Sequence, residues 1–306
     1  MLQKKQRQIL HKVIAQFVHW CIVHSCDNDR LSQETLPEPL LNTIITILSY
    51  HGLIPLAYNY FKESNLKVSD EFQAQLNASK NLSIGRNLFW EDQYLKLVKI
   101  TNNNGISILP LKGMHFLLAS DATTWDRPMC DVDILVHPDE YTRCETALVK
   151  NGFKLSRRDE NERDYWCMHQ MHLAFVKQLP GNKKRFFLEV HWALDYPRSY
   201  PVLPKLWNRI RRTTYNHHEI DIMSHEDMLF TIALHQRRFG GLLQLKYVVD
   251  VGTLFVRYGE ALDYNYLINE AQRSKLRSAL YALLQQTSRY YSSQKLTTLM
   301  KKGYRA

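Results

Sequence analysis

The stretch Arg127-Pro128-Met129-Cys130-Asp131-Val132-Asp133-Ile134-Leu135-Val136 decides how this sequence folds. We predict a strand over residues 130–136, ending in a continuous apolar run. Because side chains alternate along a strand, Asp131 and Asp133 are expected to share one face, opposite a buried apolar face. Two adjacent carboxylates repel each other, and hard oxygen ligands on a rigid strand suit Mg²⁺. The pair therefore predicts a metal site on a β-strand.

Spacing alone is weak evidence, because other acidic pairs share it. They are Asp27/Asp29, Glu160/Glu162, Glu162/Asp164 and Glu219/Asp221. The first three lie in polar, loop-like segments, where solvation explains the charge. The fourth alternates with isoleucines, which is equally consistent with a short strand that has a solvated outer face. The pair at 131 and 133 differs because it leads directly into Ile134-Leu135-Val136.

A third carboxylate, Glu189, lies in the apolar stretch Phe186 to Trp192, which we interpret as another strand. By alternation Glu189 and His191 share a face. A third acid is what a two-metal site requires. The structural alternatives are an edge-exposed Glu189 and a hydrogen-bonded His191 with no functional role.

The composition indicates a folded protein with a substantial core. The chain has 306 residues, with 45% hydrophobic and 23% charged content, which excludes a disordered polymer. Its formal charge of +10 is compatible with a polyanionic partner such as a nucleoside triphosphate, RNA or DNA. Lysines that only solvate helix faces are an equal alternative.

Cysteine usage and hydropathy bear on the cellular setting. The five cysteines are odd in number and form no CxxC pair, so we expect a reducing, cytoplasmic environment. No run of about 18 apolar residues occurs, and no membrane span is expected. Cys167, His169 and His172 suggest a metal cluster, but without a second cysteine pair we discount it.

Periodicity and turn signals divide the chain into three regions. We predict an N-terminal helical region over 1–100, an α/β core over 101–195 and a C-terminal helical region over 196–306, with the first boundary at the turn Asn102 to Gly105. The predicted helices are 3–26, 40–50, 56–62, 69–99, 114–120, 138–150, 206–211, 225–238, 242–258 and 264–291. The predicted strands are 106–109, 130–136, 153–155, 172–177 and 185–192, the last two joined by a hairpin turn at 180–182.

Three ordered segments together resemble a bacterial nucleotidyltransferase family of the DNA polymerase β-like superfamily. They are Leu109-Pro110-Leu111-Lys112-Gly113, the stretch 127–136, and Leu188-Glu189-Val190-His191-Trp192. Residues 229–238, with His235, and 245–254, with Asp250, resemble the C-terminal region of that family. The resemblance covers roughly residues 80 to 255 of this sequence.

The resemblance implies an α+β fold: a minimal nucleotidyltransferase core, with a small mixed sheet and flanking helices, embedded between the two helical regions. It implies that Asp131 and Asp133 ligate magnesium and that Glu189 completes the site. Two Mg²⁺ ions are expected, with Mn²⁺ as the alternative ion. The expected substrates are a nucleoside triphosphate, such as ATP, and an acceptor of unknown identity: a small molecule, RNA or protein.

The resemblance also implies a phosphate-binding turn. Gly113 matches the family glycine that opens a helix, whereas Met114 departs from the small residue that usually follows. Lys112 and Arg127 are the candidate phosphate contacts, with His191 beside them. For Arg127 a salt bridge to Asp126 or Asp131 is the alternative.

Two functions of different classes follow. The leading hypothesis is transfer of a nucleoside monophosphate to an acceptor hydroxyl by a two-magnesium mechanism. The alternative, motivated by Met114, is a catalytically degenerate scaffold that binds nucleic acid or a partner protein. A P-loop mechanism is not supported, because the sequence contains no GxxxxGK[ST] motif.

Overall fold

Helices dominate both ends of the chain, and strands occupy its middle. The computed structural model describes residues 4–24, 35–119, 127–156, 162–179, 181, 184–197, 202–238, 240 and 244–305. The α-helices in these residues are α1 Lys4–Val23, α2 Glu38–Tyr50, α3 Ile54–Glu63, α4 Asp70–Asn102, α5 Lys112–Ala119, α6 Tyr141–Lys150, α7 Arg163–His169, α8 His225–Arg238, α9 Leu245–Tyr258, α10 Tyr264–Arg273, α11 Arg277–Thr287 and α12 Gln294–Arg305.

The strands form one mixed sheet and one hairpin. Their bounds are β1 Ile108–Pro110, β2 Val132–Val136, β3 Lys154–Leu155, β4 His172–Gln178, β5 Arg185–His191, β6 Arg211–Tyr215 and β7 His218–Ile222. The five-stranded sheet has the order β1-β2-β5-β4-β3, and β6 pairs with β7 in a separate two-stranded sheet. The predicted α+β class, a small mixed sheet with flanking helices, is confirmed.

The centre of the five-stranded sheet combines both kinds of strand pairing. Strands β2 and β5 are parallel, and the remaining pairs are antiparallel. All five residues of β2 are buried. A strand flanked on both sides and buried on both faces is the most rigid place for a functional side chain, because neither its backbone nor its rotamers are free to move.

Contact clustering divides the chain into two compact units. The first comprises residues 1–84, 126–128 and 232–306, and the second comprises 85–125 and 129–231. The N-terminal and C-terminal helices thus contribute to one unit. Among the described residues, no helix combines the length and the apolar character that crossing a bilayer requires.

The first unit is built on helix packing. Its buried core includes Phe17 of α1, Leu40 and Ile44 of α2, and Val248 of α9. Helices α1 and α9 approach closely at Gly252, where an added Cβ would lie 2.5 Å from Cδ1 of Ile22. The absence of a side chain at this position is what permits the approach.

The second unit packs helices against the five-stranded sheet. Its core combines Tyr94 of α4, Val132 and Ile134 of β2, and Leu188 and Val190 of β5. The alternation predicted for the two strands is confirmed on this side, because these aliphatic residues are all nearly inaccessible. The polar residues between them therefore face the other side of the sheet.

Several predicted elements are confirmed closely. Helix α8 has the predicted bounds, and strands β4 and β5 pair as the predicted hairpin. Pro180 and Asn182 of its predicted turn lie outside the described residues. The backbone N–H of Phe72 donates to Oγ of Ser69 at 3.3 Å, which confirms Ser69 as the cap of α4.

Other boundaries were wrong. Strand β2 begins at Val132, so Asp131 lies just before the strand. The predicted helix over 206–211 is only a short 3₁₀ turn at Leu206–Arg209, followed by β6. The predicted helix over 264–291 is interrupted, because Lys275 adopts a positive φ of 52° and the N–H of Leu276 donates back to the carbonyl of Ala271. Helix α7, helix α12 and strand β6 were not predicted, whereas β7 is the short strand that was considered for Glu219/Asp221.

Candidate active site

Two of the predicted metal ligands occupy partner positions on parallel strands. Asp133 of β2 is the registered partner of Glu189 of β5. Asp133 is only 3% exposed, whereas the side chain of Glu189 retains 30% exposure. The register places one buried and one accessible carboxylate on the same side of the sheet, which is the side away from the aliphatic core.

Lys112 brings a positive charge to these acids. Its Nζ lies 2.6 Å from Oδ1 of Asp133 and 3.9 Å from Oε2 of Glu189. The turn between β1 and α5 holds it there, because the N–H of Leu111 donates to the carbonyl of Asp133 at 2.9 Å. Lys112 itself has a φ of 49°, a left-handed conformation that costs a non-glycine residue roughly 1 kcal/mol.

His191 lies between the same two carboxylates. Its Nε2 is 3.2 Å from Oδ1 of Asp133 and 3.3 Å from Oε2 of Glu189, and the ring is buried. A carboxylate only accepts hydrogen bonds, and Nε2 carries at most one proton. At most one N–H is therefore shared between two carboxylates, so this part of the cluster has fewer hydrogen-bond donors than acceptors.

The protonation of Asp133 reflects these neighbours. Burial raises the pKa of its carboxyl group, but the hydrogen bond from His191 and the charge of Lys112 outweigh burial. The net effect holds the pKa of Asp133 well below its usual range. Asp133 is therefore an ionised carboxylate in a nearly inaccessible position, a state that requires a cation nearby.

The pKa of Asp131 shifts in the direction opposite to that of Asp133. Burial, together with the charges of Asp133 and Glu189, raises the pKa of its carboxyl group to about 6. Although Asp131 precedes the strand, its carboxyl group interacts electrostatically with the other two acids. Three carboxylates with a single lysine ammonium leave negative charge that a divalent cation would balance.

His172 lies beside these residues, although the sequence analysis named it only in a cluster with Cys167 and His169 and discounted that cluster. It pairs with His191 across β4 and β5, and the centroids of the two rings lie 4.6 Å apart. Its Nε2 is 3.9 Å from Oε2 of Glu189. Burial, together with the charge of His191, lowers the pKa of His172 to about 4. The hairpin register was the signal for this contact, since it aligns the first residue of β4 with the last of β5.

Arg127 has a different environment. Its guanidinium makes two hydrogen bonds, both of 2.7 Å, to the carboxylate of Asp250, and both residues belong to the first unit. The alternative partner Asp126 lies outside the described residues. In the same unit His235 contacts the hydroxyl of Tyr247 at 2.5 Å. The role of Arg127 in nucleotide binding remains a prediction.

Gly113 and Met114 form the predicted phosphate-binding turn at the start of α5. Gly113 is buried in the first turn of α5. Met114 is 1% exposed and packs in the core of the second unit. The departure at Met114 therefore contributes apolar packing to this core.

The donor set fits a divalent cation. Asp131, Asp133 and Glu189 offer the hard oxygen atoms that Mg²⁺ prefers, on or beside rigid strands. Lys112 already places an ammonium against Asp133, which shows that the site accommodates positive charge. The chemistry of the three predicted ligands therefore fits a divalent cation, and their role as ligands stays a prediction.

Comparison with known families agrees with this geometry. Residues 37–292 match the model of a family described as "Uncharacterised nucleotidyltransferase". A comparison with curated proteins gives no match. The matched range includes β1, β2 and β5 with all of the site residues described above. Since the match extends over well more than half of the sequence, the chain belongs to this uncharacterised nucleotidyltransferase family.

Proposed function

We propose that the protein transfers a nucleoside monophosphate from a nucleoside triphosphate, ATP among the candidates, to an acceptor hydroxyl with the help of two Mg²⁺ ions. Mn²⁺ is the alternative ion. The observation that carries the proposal is the register of Asp133 with Glu189 on parallel strands, with Asp131 coupled to both. Membership of the DNA polymerase β-like superfamily, a bacterial origin and a cytoplasmic setting belong to the same proposal.

The reaction follows from general phosphoryl chemistry. The hydroxyl oxygen of the acceptor attacks the α-phosphorus, the bond from that phosphorus to the bridging oxygen breaks, and pyrophosphate leaves. The hydroxyl proton passes to solvent. Two divalent ions at the three carboxylates would supply positive charge at the attacking and leaving oxygens.

The residues of the chain have distinct parts in this proposal. Asp133 is fixed by the central strand, and Glu189 is the more accessible ligand. Lys112 is held by one short contact to Asp133, so the arrival of metal would free its ammonium to meet phosphate oxygens. Gly113 would present backbone N–H groups at the start of α5. Arg127, which pairs with Asp250 in the first unit, stays a predicted nucleotide-binding residue.

The direct test uses α-labelled nucleoside triphosphates, Mg²⁺ and three acceptor pools: small molecules, RNA and protein. We expect labelled product from the wild-type chain and a loss on the order of a hundredfold in Asp133→Asn. Asp139→Asn is the matched control, because the side chain of Asp139 is 89% exposed and pairs with the exposed His137. Equal labelling by wild type and by an Asp131→Ala/Asp133→Ala variant would refute the proposal.

Calorimetry distinguishes the proposed enzyme from the second candidate, a catalytically degenerate scaffold that binds nucleic acid or a partner protein. Catalysis requires triphosphate binding that depends on Mg²⁺. If such binding is absent, and nucleic-acid binding weakens steeply with salt, the basic composition and Met114 indicate a binding protein instead.

A further inference from the structure

A group of imidazoles and a carboxylate lies beside the acidic pair. His172, Glu189 and His191 each offer one ligand atom, and these atoms lie within 4.8 Å of one another. All three come from the paired strands β4 and β5, where the backbone register fixes their spacing. The cluster is part of the hydrogen-bonded sheet, so its geometry does not depend on a loop.

The distances match those around a single small ion. In a tetrahedral site with metal–nitrogen bonds of roughly 2.0–2.1 Å, neighbouring ligand atoms lie about 3.3 Å apart. Nε2 of His191 is 3.3 Å from Oε2 of Glu189, and Nε2 of His172 is 3.9 Å from the same oxygen. The two imidazole ligand atoms also lie within 4.8 Å of each other, so rotation of the side chains would bring all three atoms to one ion.

Hydrogen bonding leaves this cluster incompletely satisfied. Nδ1 of His172 is buried and makes no hydrogen bond among the described residues. Its Nε2 is too far from Glu189 for a hydrogen bond. A buried polar atom without a partner is costly, and such atoms in a native protein often mark the place of a water or an ion. The protein contacts of His172 therefore leave its imidazole available as a ligand.

We propose that His172, Glu189 and His191 form a binding site for a borderline divalent transition-metal ion, with Zn²⁺ as its representative. Imidazole nitrogen favours such ions, whereas Mg²⁺ prefers an all-oxygen set. Two histidines and one glutamate leave a fourth position open for water or a substrate oxygen. The site goes beyond the proposed function, because it binds metal without a nucleotide and adds His172 as a ligand.

Calorimetry on the metal-free full-length chain, without nucleotide, provides the test. We expect Zn²⁺ to bind at least about tenfold more tightly than Mg²⁺, and His172→Gln to weaken Zn²⁺ binding at least about tenfold. Mg²⁺ binding by His172→Gln should stay within about twofold of wild type, since the three carboxylates remain. His169→Gln is the matched control, because His169 is exposed and lies three residues before His172.

A second measurement uses the wild-type protein, so its outcome does not depend on whether the variant folds. Ring ¹⁵N resonances of the histidines, recorded during a Zn²⁺ titration, should shift for His172 and His191 and stay constant for His169. Unchanged signals for His172 and His191, or equal Zn²⁺ affinity of His172→Gln and wild type, would overturn the site. Zn²⁺ binding without nucleotidyl transfer would refute the proposed function and leave the site intact.

Discussion

Nζ of Lys112 lies 2.6 Å from Oδ1 of Asp133, on a side chain that is only 4% exposed. The contact joins a residue in a left-handed turn to the central strand of the sheet. The Lys112 ammonium therefore supplies the positive charge beside the buried Asp133 carboxylate. Whether the Lys112 ammonium leaves Asp133 when a metal ion binds is therefore the most direct test of the proposed site.

Lys112→Met should destabilise the metal-free protein. Removing the ammonium leaves Asp133 buried and short of positive charge, which we expect to cost about 1–3 kcal/mol, the lower part of that range being favoured by the partial exposure of Lys112. Urea unfolding in EDTA measures the loss, and Mg²⁺ should restore part of it. The control is Lys96→Met, whose 2.6 Å contact with Asp92 is exposed on both sides, so we expect less than about 1 kcal/mol. Equal losses in the two variants would contradict the claim that the buried Asp133 carboxylate needs the Lys112 ammonium.

The Arg127–Asp250 pair should behave as a structural ion pair. Its side chains are 14% and 4% exposed, and Arg127→Met would leave the Asp250 carboxylate without its main partner. We expect a loss of about 3 kcal/mol in the free energy of unfolding, and a smaller loss in Arg127→Met/Asp250→Leu than in the single variant.

The same unfolding assay includes a control from the first unit. Lys295→Met removes a 3.0 Å pair with Glu260 that is largely exposed, and its cost should stay below about 1 kcal/mol. If the stability loss of Arg127→Met/Asp250→Leu equals the sum of the losses in Arg127→Met and Asp250→Leu, the Arg127–Asp250 pair has no coupling energy.

Stability should decrease at mildly acidic pH through His115. Burial lowers the pKa of His115 to about 3, helped by the charges of His225 and Arg211, so the folded state keeps the ring neutral. The unfolded chain takes up a proton below pH 6.5. Stability is therefore complete above that value and decreases as the pH falls towards 3.

His115→Leu should remove this component. Between pH 7 and pH 5 we expect the variant to lose about 2 kcal/mol less stability than wild type, measured by urea unfolding at each pH. His11→Gln changes an exposed histidine and should leave the pH profile unchanged. An unaltered profile in His115→Leu would mean that the buried ring does not control acid stability.

Two glycines in the second unit should respond to alanine in opposite directions. Gly105 has a φ of 62° in the turn after α4, and Gly105→Ala should cost about 1 kcal/mol. Gly85 lies inside α4, and Gly85→Ala should stabilise by about 0.5–1 kcal/mol. Neither added Cβ has a neighbour within 4 Å, so the difference isolates the backbone. Thermal unfolding of both variants provides the comparison, and shifts of the same sign would refute it.

Local patterns in the sequence specified the strand with Asp133, the strand with Glu189 and the helices on either side. Alternation and apolar runs act over neighbouring residues, so they are readable without the fold. The same patterns began this strand at Cys130, two residues before Val132, because the point at which pairing with a neighbouring strand begins is not a local property. They also missed β6, whose polar residues weaken the apolar signal.

The sequence by itself determined the family and the mixed α+β class, and it supplied the prediction of the three acids. Only the tertiary structure decided which residues meet. Parallel register placed Asp133 beside Glu189, antiparallel register brought His172 to His191, and a contact across 123 positions gave Arg127 to Asp250. Register and long-range pairing are set by how faces and turns pack together, and a shift of one residue would turn every side chain of a strand to the opposite face.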